Sequence, residues 1–231
     1  MKLDTNQEQI VNSTAKNIIV SAGAGSGKTR VLTERVKHLI DIGVSSENIV
    51  CITFTNKAAN EMRDRLADVE GIGDAFIGTI HSFANKILKA SGERYDLLTA
   101  EKEVEIVRYL ISKYAKYVTH EDYMKFLDLR HLIKLGAKDE SALKEEFTPS
   151  IMYEINVFYG DKPNSYDKKF YPENLYTVCK RRGIITFDEL LIKCTNYFKS
   201  INAKIEYLLV DELQDIGMNE YGFIMALNAD N

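Results

Sequence analysis

Short apolar runs alternate with amphipathic stretches along the first ninety residues. "NIIVSA" (17–22) and "NIVCITF" (48–54) are continuous apolar runs of strand length and predict buried strands. "DAFIGTI" (74–80) predicts a weaker third. Between the first two lies "KTRVLTERVKHLIDIG", whose Val31, Leu32, Val36, Leu39 and Ile40 fall on one helical stripe, with Gly43 placed to end it. Strand alternating with helix predicts right-handed crossovers and a parallel sheet covered on both faces. At the start of the chain, Asp4 or Thr5 can cap a short helix, and Gln7 or Glu8 three residues later can close a capping box.

The pattern changes after residue 92. From 93 to 183 the periodicity is helical, with no convincing strand, and this stretch holds ten of the thirteen tyrosines and all three prolines. A helical subdomain packed with aromatics is the expected outcome, with a tyrosine-lined binding surface as the alternative. "TFDELLIKCTNYF" (186–198) then reads as a helix, and "EYLLVDE" (206–212) as a buried strand ending in two acids. Three segments follow: 1–92, an α/β domain; 93–183, a helical insertion; and 184–231, where the α/β domain resumes.

Composition narrows the class. No run of about 18 apolar residues predicts a membrane span, the first residues lack an apolar signal core, and Cys51, Cys179 and Cys194 form no paired spacing. A cytoplasmic protein with reduced thiols and no membrane partner is expected. The net charge is −4, and residues 184–231 carry 3 Lys and Arg against 8 Asp and Glu. The acidity therefore gathers where a cation site could use it, and it leaves room for a local basic strip along a nucleic-acid backbone.

The chemistry starts at "AGAGSGKTR" (22–30), which fits the phosphate-loop pattern through Ala22, Gly23, Ala24, Gly25, Ser26, Gly27, Lys28 and Thr29, with Ala22 where the strict pattern has glycine. Glycines let the backbone N–H groups close on phosphate oxygens, and the following helix turns its positive end to the same charge. Lys28 can reach the terminal phosphates, and the Thr29 hydroxyl can ligate Mg2+. A glycine turn without a ligand is the plain alternative. The strand ending in Asp211 and Glu212 supplies the second half: Asp211 to hold the metal, Glu212 to orient and deprotonate an attacking water. That pairing points to hydrolysis, since a small kinase needs no water-activating carboxylate.

In this order, "AGAGSGKTR", "ITFTNKAANEM", "GTIHSFA", "ITFDELL" and "VDELQD" resemble the UvrD/Rep/PcrA-type superfamily 1 DNA helicases over nearly the whole chain. The resemblance implies a P-loop, RecA-like parallel sheet flanked by helices, with an all-helical inserted subdomain. It implies ATP and Mg2+ as cofactors. "LDTNQEQIV" resembles the adenine-reading Q motif and maps its glutamine to Gln7, while Arg30 would pack on the adenine face. Gln214 would couple the nucleotide to the moving parts of the motor.

The same resemblance places Phe54, Thr55, Asn56 and Lys57 in one DNA-contact motif and His81 and Ser82 in another. An aromatic at a strand end offers a stacking face, and short polar groups with a lysine reach phosphates. Read without the resemblance, Phe54 is a core residue and His81 a structural one. Lys180, Arg181 and Arg182 form a basic cluster, a solvated face by default and a duplex contact as the alternative.

Two departures stand out. The family continues its second acid motif with Thr-Asn, where this chain reads "DIGMN", and its next strand and second RecA-like domain, with arginine fingers, would follow "NADN". That strand would lie between those carrying Lys28 and Asp211. The chain is thus expected to be the first half of a 3′-to-5′ motor on single-stranded DNA and single-strand/duplex junctions, nearly inactive alone. Two rivals are the helicase half of a nuclease-helicase repair complex and a non-motor, ATP-responsive binding module.

Overall fold

The computed structural model describes residues 3–23, 25–159, 171–202 and 205–227. The chain divides into two compact units, residues 1–93 with 187–231, and residues 94–186.

In the first unit, helix α1 (Thr5–Val11) is capped by a reciprocal box in which Asp4 and Gln7 exchange hydrogen bonds. Helix α2 (Lys28–Asp41) buries Val31, Val36 and Leu39 and stops where Gly43 takes φ +90°, a left-handed conformation glycine adopts without steric cost. Strands β1 (Ile49–Thr53), β2 (Phe76–Thr79) and β5 (Tyr207–Val210) form a parallel sheet in the order β2-β1-β5. Helix α3 (Asn56–Leu66) joins β1 to β2, and helix α4 (Ile80–Ala90) follows β2 directly.

The central strand is buried throughout because both its faces are covered. Ile49 and Cys51 pack with Val36, Leu39, Met62, Leu66 and Ile77, while Val50 and Ile52, pointing the other way, are equally buried. Helix α4 packs on α10 (Phe187–Ser200), which packs on α11 (Met218–Leu227), and Phe83 meets Phe223 with ring centroids 6.4 Å apart. Gly78 is required for close approach, since a Cβ there would come within 2.7 Å of Phe76 and the Ser82 hydroxyl.

One expected strand does not form. Residues 17–22 join neither sheet, and Ile18, Ile19 and Val20 are exposed, Ile19 by 89%. Apolar content alone does not make a strand; a ladder partner is needed. Among the described residues the run pairs neither with β1, whose edges are taken by β2 and β5, nor with the open side of β5, and it leads irregularly into the glycines. Strand β5, expected to be buried, is half-buried, because among the described residues it has a neighbour on one side only.

The second unit comprises helices α5 (Ala100–Tyr114), α6 (His120–Lys134), α7 (Ser141–Glu146), α8 (Pro149–Tyr159) and α9 (Leu175–Arg182). The stretch read as free of strands contains one: β3 (Asp96–Leu97) pairs in parallel with β4 (Ile184–Ile185), too short for a periodic signal. Tyrosine use is mixed. Tyr123 and Tyr171 are buried, whereas Tyr109, Tyr117, Tyr153 and Tyr176 are exposed.

At the heart of this unit, the fully buried Glu154 carboxylate accepts from the backbone N–H groups of Lys116 (2.8 Å), Tyr117 (2.8 Å) and Val118 (2.9 Å) and from the Tyr171 hydroxyl (2.7 Å). Burial pushes its pKa up, but the Tyr171 hydroxyl and the three amides outweigh that and hold the carboxyl below the usual range. Because the folded-state value is depressed, the stabilisation is present above the unfolded carboxylate pKa and is lost as pH falls through the folded one. Glu154→Ala leaves three amides and a hydroxyl without an acceptor. Urea denaturation should show a loss of about 3 kcal/mol or more for the variant, and the difference between it and the parent chain should shrink in acid.

Candidate functional site

The loop before α2 turns tightly at Gly25 (φ +74°) and Gly27 (φ +85°) and is closed by a 3.3 Å bond from the Ser26 N–H to the Gly23 carbonyl. Ala22 and Gly23 lead into this turn, and Ala24 lies outside the described residues. Gly27 occupies the helix N-cap with no side chain to satisfy the first-turn amides, and that turn carries no acidic residue. These amides and the helix dipole are left directed at an incoming anion. Arg30 stands in the first turn of the same helix, half-buried.

The parallel register fixes what faces this loop. Ile52 pairs with Val210, and the Asp211 N–H extends the ladder to the Ile52 carbonyl at 2.9 Å. Asp211, buried at 6% exposure, is thus held at the C-terminal edge of the sheet, and its Oδ2 accepts from the Thr29 hydroxyl at 3.2 Å. Residues 182 positions apart in sequence meet here. The Thr29 hydroxyl and the Asp211 carboxylate together offer hard oxygen donors suited to Mg2+, which takes one or two protein oxygens and keeps water or phosphate for the rest.

Glu212 follows in the left-handed region, with φ +53° and ψ +46°. A non-glycine residue there carries about 1–3 kcal/mol of strain. Its Oε2 accepts a short hydrogen bond from the Gln214 side-chain amide and lies 3.5 Å from Lys28 Nζ. The Gln214 bond first, and the Lys28 charge after it, hold the Glu212 carboxyl below its ordinary range. It is therefore ionised at neutral pH, in the form that accepts a proton. Lys28 Nζ also donates to the Ala22 carbonyl at 3.4 Å, so the ammonium spans the loop. On the far side, Gln7 Nε2 donates to the Ser26 carbonyl at 3.1 Å, bringing the first helix against the loop.

The DNA-contact candidates follow β1 and β2 at the same edge of the sheet. Phe54, Thr55, Asn56 and Lys57 are all exposed where β1 ends. Phe54, at 53% exposure, is not a core residue. Thr55 has a structural task, its hydroxyl accepting from the Ala58 N–H at 3.1 Å as the cap of α3. Because Thr53 pairs with Thr79, the residues after β2 lie beside those after β1. His81 is half-buried with its ring edge-on to Phe187 at 5.2 Å, and the exposed Ser82 donates to the Thr79 carbonyl at 2.7 Å.

Three contacts around the site were not expected. Phe187 orients His81, Arg35 Nη1 donates to the Val11 carbonyl at 2.6 Å, and Asn219, in the variant "DIGMN", donates to Asp188 at 2.8 Å. The first and last join separate motifs, and spacing gives no signal for either. The basic cluster at residues 180–182 is partly engaged: Arg181 pairs with Glu173, whose carboxyl is drawn down to about 2 mainly by that bond. Cys51, Cys179 and Cys194 are buried, and burial pushes the Cys51 and Cys194 thiols up to about 12. No described helix is long and apolar enough to cross a membrane.

Comparison with known proteins extends this geometry. The UvrD/REP helicase N-terminal domain family matches residues 3–231. DNA helicase II of Escherichia coli is 28% identical over 244 residues, covering 99% of this chain and 32% of that protein. ATP-dependent DNA helicase PcrA of Bacillus subtilis is 29% identical over 239 residues, covering 96% and 30% respectively. The Staphylococcus aureus (strain COL) protein of that name is 30% identical, with 97% and 31% covered. The chain thus spans about a third of the length of these relatives.

Gly27 is the tightest point of the loop. A Cβ there would stand 3.3 Å from Gln7 Nε2 on a left-handed backbone. Gly27→Ala should lower stability by about 1–2 kcal/mol in thermal or urea unfolding, and a neutral result would mean the loop rearranges freely.

Proposed function

Because the chain belongs to the UvrD/REP helicase N-terminal domain family, we propose that it is the ATP-binding portion of a DNA helicase. In the intact protein, ATP hydrolysis would drive 3′-to-5′ movement along single-stranded DNA in repair or replication. The observation that carries this reading is the meeting of Thr29 with Asp211 beside the Lys28–Glu212 pair. A nucleotide-binding site and a water-activating carboxylate are then one site.

In this reading the loop amides and Lys28 take the ATP phosphates, Gln7 takes the adenine edge and Arg30 its face. Thr29 and Asp211 hold Mg2+, which neutralises phosphate charge when bound. Glu212, already ionised, accepts a proton from the attacking water. The Lys28–Glu212 contact, 3.5 Å across the mouth of the loop, must loosen for a triphosphate to enter. Gln214, bonded to Glu212, then passes the carboxylate's position to the 3-10 turn at Leu213–Asp215. Phe54 stacks a base, with Thr55, Asn56, Lys57, His81 and Ser82 along the backbone of a single strand or a junction.

Hydrolysis also depends on positive charge at the transition state, and in this reading the arginines come from a second RecA-like domain. Loss of such a group costs about 10³–10⁵ in rate. The 231-residue chain alone should therefore bind ATP weakly and turn it over barely, and brisk hydrolysis by it would overturn this part of the reading.

Two variants of the intact protein test the residue roles. Glu212→Gln should abolish turnover while sparing ATP binding, because it removes the base and keeps the shape. Phe54→Ala should weaken single-strand binding by about 1–3 kcal/mol; unchanged affinity in a titration would remove Phe54 from the DNA path.

A further inference from the structure

We propose that Thr53 is a positioning residue for the single-strand contact: its side-chain hydroxyl sets the direction in which Phe54 leaves the sheet. The inference rests on the reading of Phe54 as the base-stacking residue and adds what holds that residue in place. Thr53 is buried, at 2% exposure, and its hydroxyl donates to the Thr55 carbonyl at 3.0 Å. The residue between them, Phe54, is 53% exposed, so packing gives its ring little direction.

Both flanks of Phe54 are anchored independently. Thr53 ends β1 and lies in register with Thr79 of β2. Thr55 caps α3, its hydroxyl accepting from the Ala58 N–H at 3.1 Å and its carbonyl from the Ala59 N–H at 3.0 Å. The first turn of α3 therefore has its acceptors without Thr53. A carbonyl oxygen has two lone pairs, and the Thr53 hydroxyl takes the second. Valine, with the same branched shape, would fill this buried strand position equally well. The hydroxyl thus serves neither burial nor the helix.

What the bond does follows from its path. It closes a ring through the main chain from Thr53 to Thr55, and φ and ψ of Phe54 both lie inside that ring. Those two torsions decide where the Cα–Cβ bond of Phe54 points. An exposed aromatic on a loose main chain would have to be ordered by the strand it binds, at a cost in affinity. Here the ordering is complete in the folded protein, and a base meets a ring already aimed.

Fluorescence titration of the intact protein tests this, with a short single-stranded oligonucleotide and an abasic strand of equal length and charge. Thr53→Val should weaken binding of the base-bearing strand about threefold, the loss expected for one net hydrogen bond, and leave abasic binding unchanged. Thr53→Ser, which keeps the hydroxyl, should bind as the parent does. In a Phe54→Ala background, Thr53→Val should have no further effect. A Phe54→Ala variant that binds the base-bearing strand like the parent overturns the underlying reading of Phe54. If Phe54→Ala weakens binding and Thr53→Val does not, the role of Thr53 alone is overturned. It is also overturned if Thr53→Val weakens both strands alike, or adds its loss to that of Phe54→Ala, since either result means general damage at the strand end. Equal losses in Thr53→Ser and Thr53→Val overturn it as well, because the hydroxyl would then be irrelevant.

Discussion

The parallel pairing of Ile49–Thr53 with Tyr207–Val210 is the constraint on which the site depends. A parallel ladder sends both chains out of the sheet at the same edge, so whatever follows one strand stands beside whatever follows the other. Asp211 continues that ladder by one bond to Ile52 and is thereby buried with its carboxylate toward Thr29. The helix beginning at Lys28 is packed on the same sheet by Val36 and Leu39. Two rigid supports therefore fix a hydroxyl and a carboxylate whose codons are far apart, and neither motif alone would place them.

What the sequence made legible follows from how local each signal is. The helix at Lys28–Asp41, the strand at Ile49–Thr53 and the acids after Val210 each combine a periodic pattern with their own punctuation, and each formed within a residue or two of expectation. The run at Ile18–Val20 has the composition of a strand and did not become one, because pairing is a property of neighbours. The two-residue strands at Asp96 and Ile184 are too short for a period to show. At the site, loop glycines and acids could be read from spacing. The Gln7–Ser26 bond, the Phe187 edge on His81 and the Asn219–Asp188 contact could not, since each joins residues that only the fold brings together.

The two units solve one electrostatic problem in opposite ways. In each, backbone N–H groups stand where a negative group can meet them. In the helical unit the chain supplies its own anion, Glu154, and the amides of Lys116, Tyr117 and Val118 are satisfied for good. At Gly27 the helix cap has no side-chain acceptor, and the first turn is free of carboxylates. An internal anion makes a rigid core; a cap left open makes a place for an external one.

The exposed run at Ile18–Val20 and the one-sided strand at Tyr207–Val210 carry a consequence for colloidal behaviour. A strand edge with no partner among the described residues is a template for another chain, and three adjacent β-branched apolar residues are a segment ready to be templated. The usual protections of an edge, a proline, an inward charge or a bulge, are absent from "YLLV" and from "IIV". Self-association of this chain would thus begin at these two places, and it would grow with concentration even where the folded units themselves are stable.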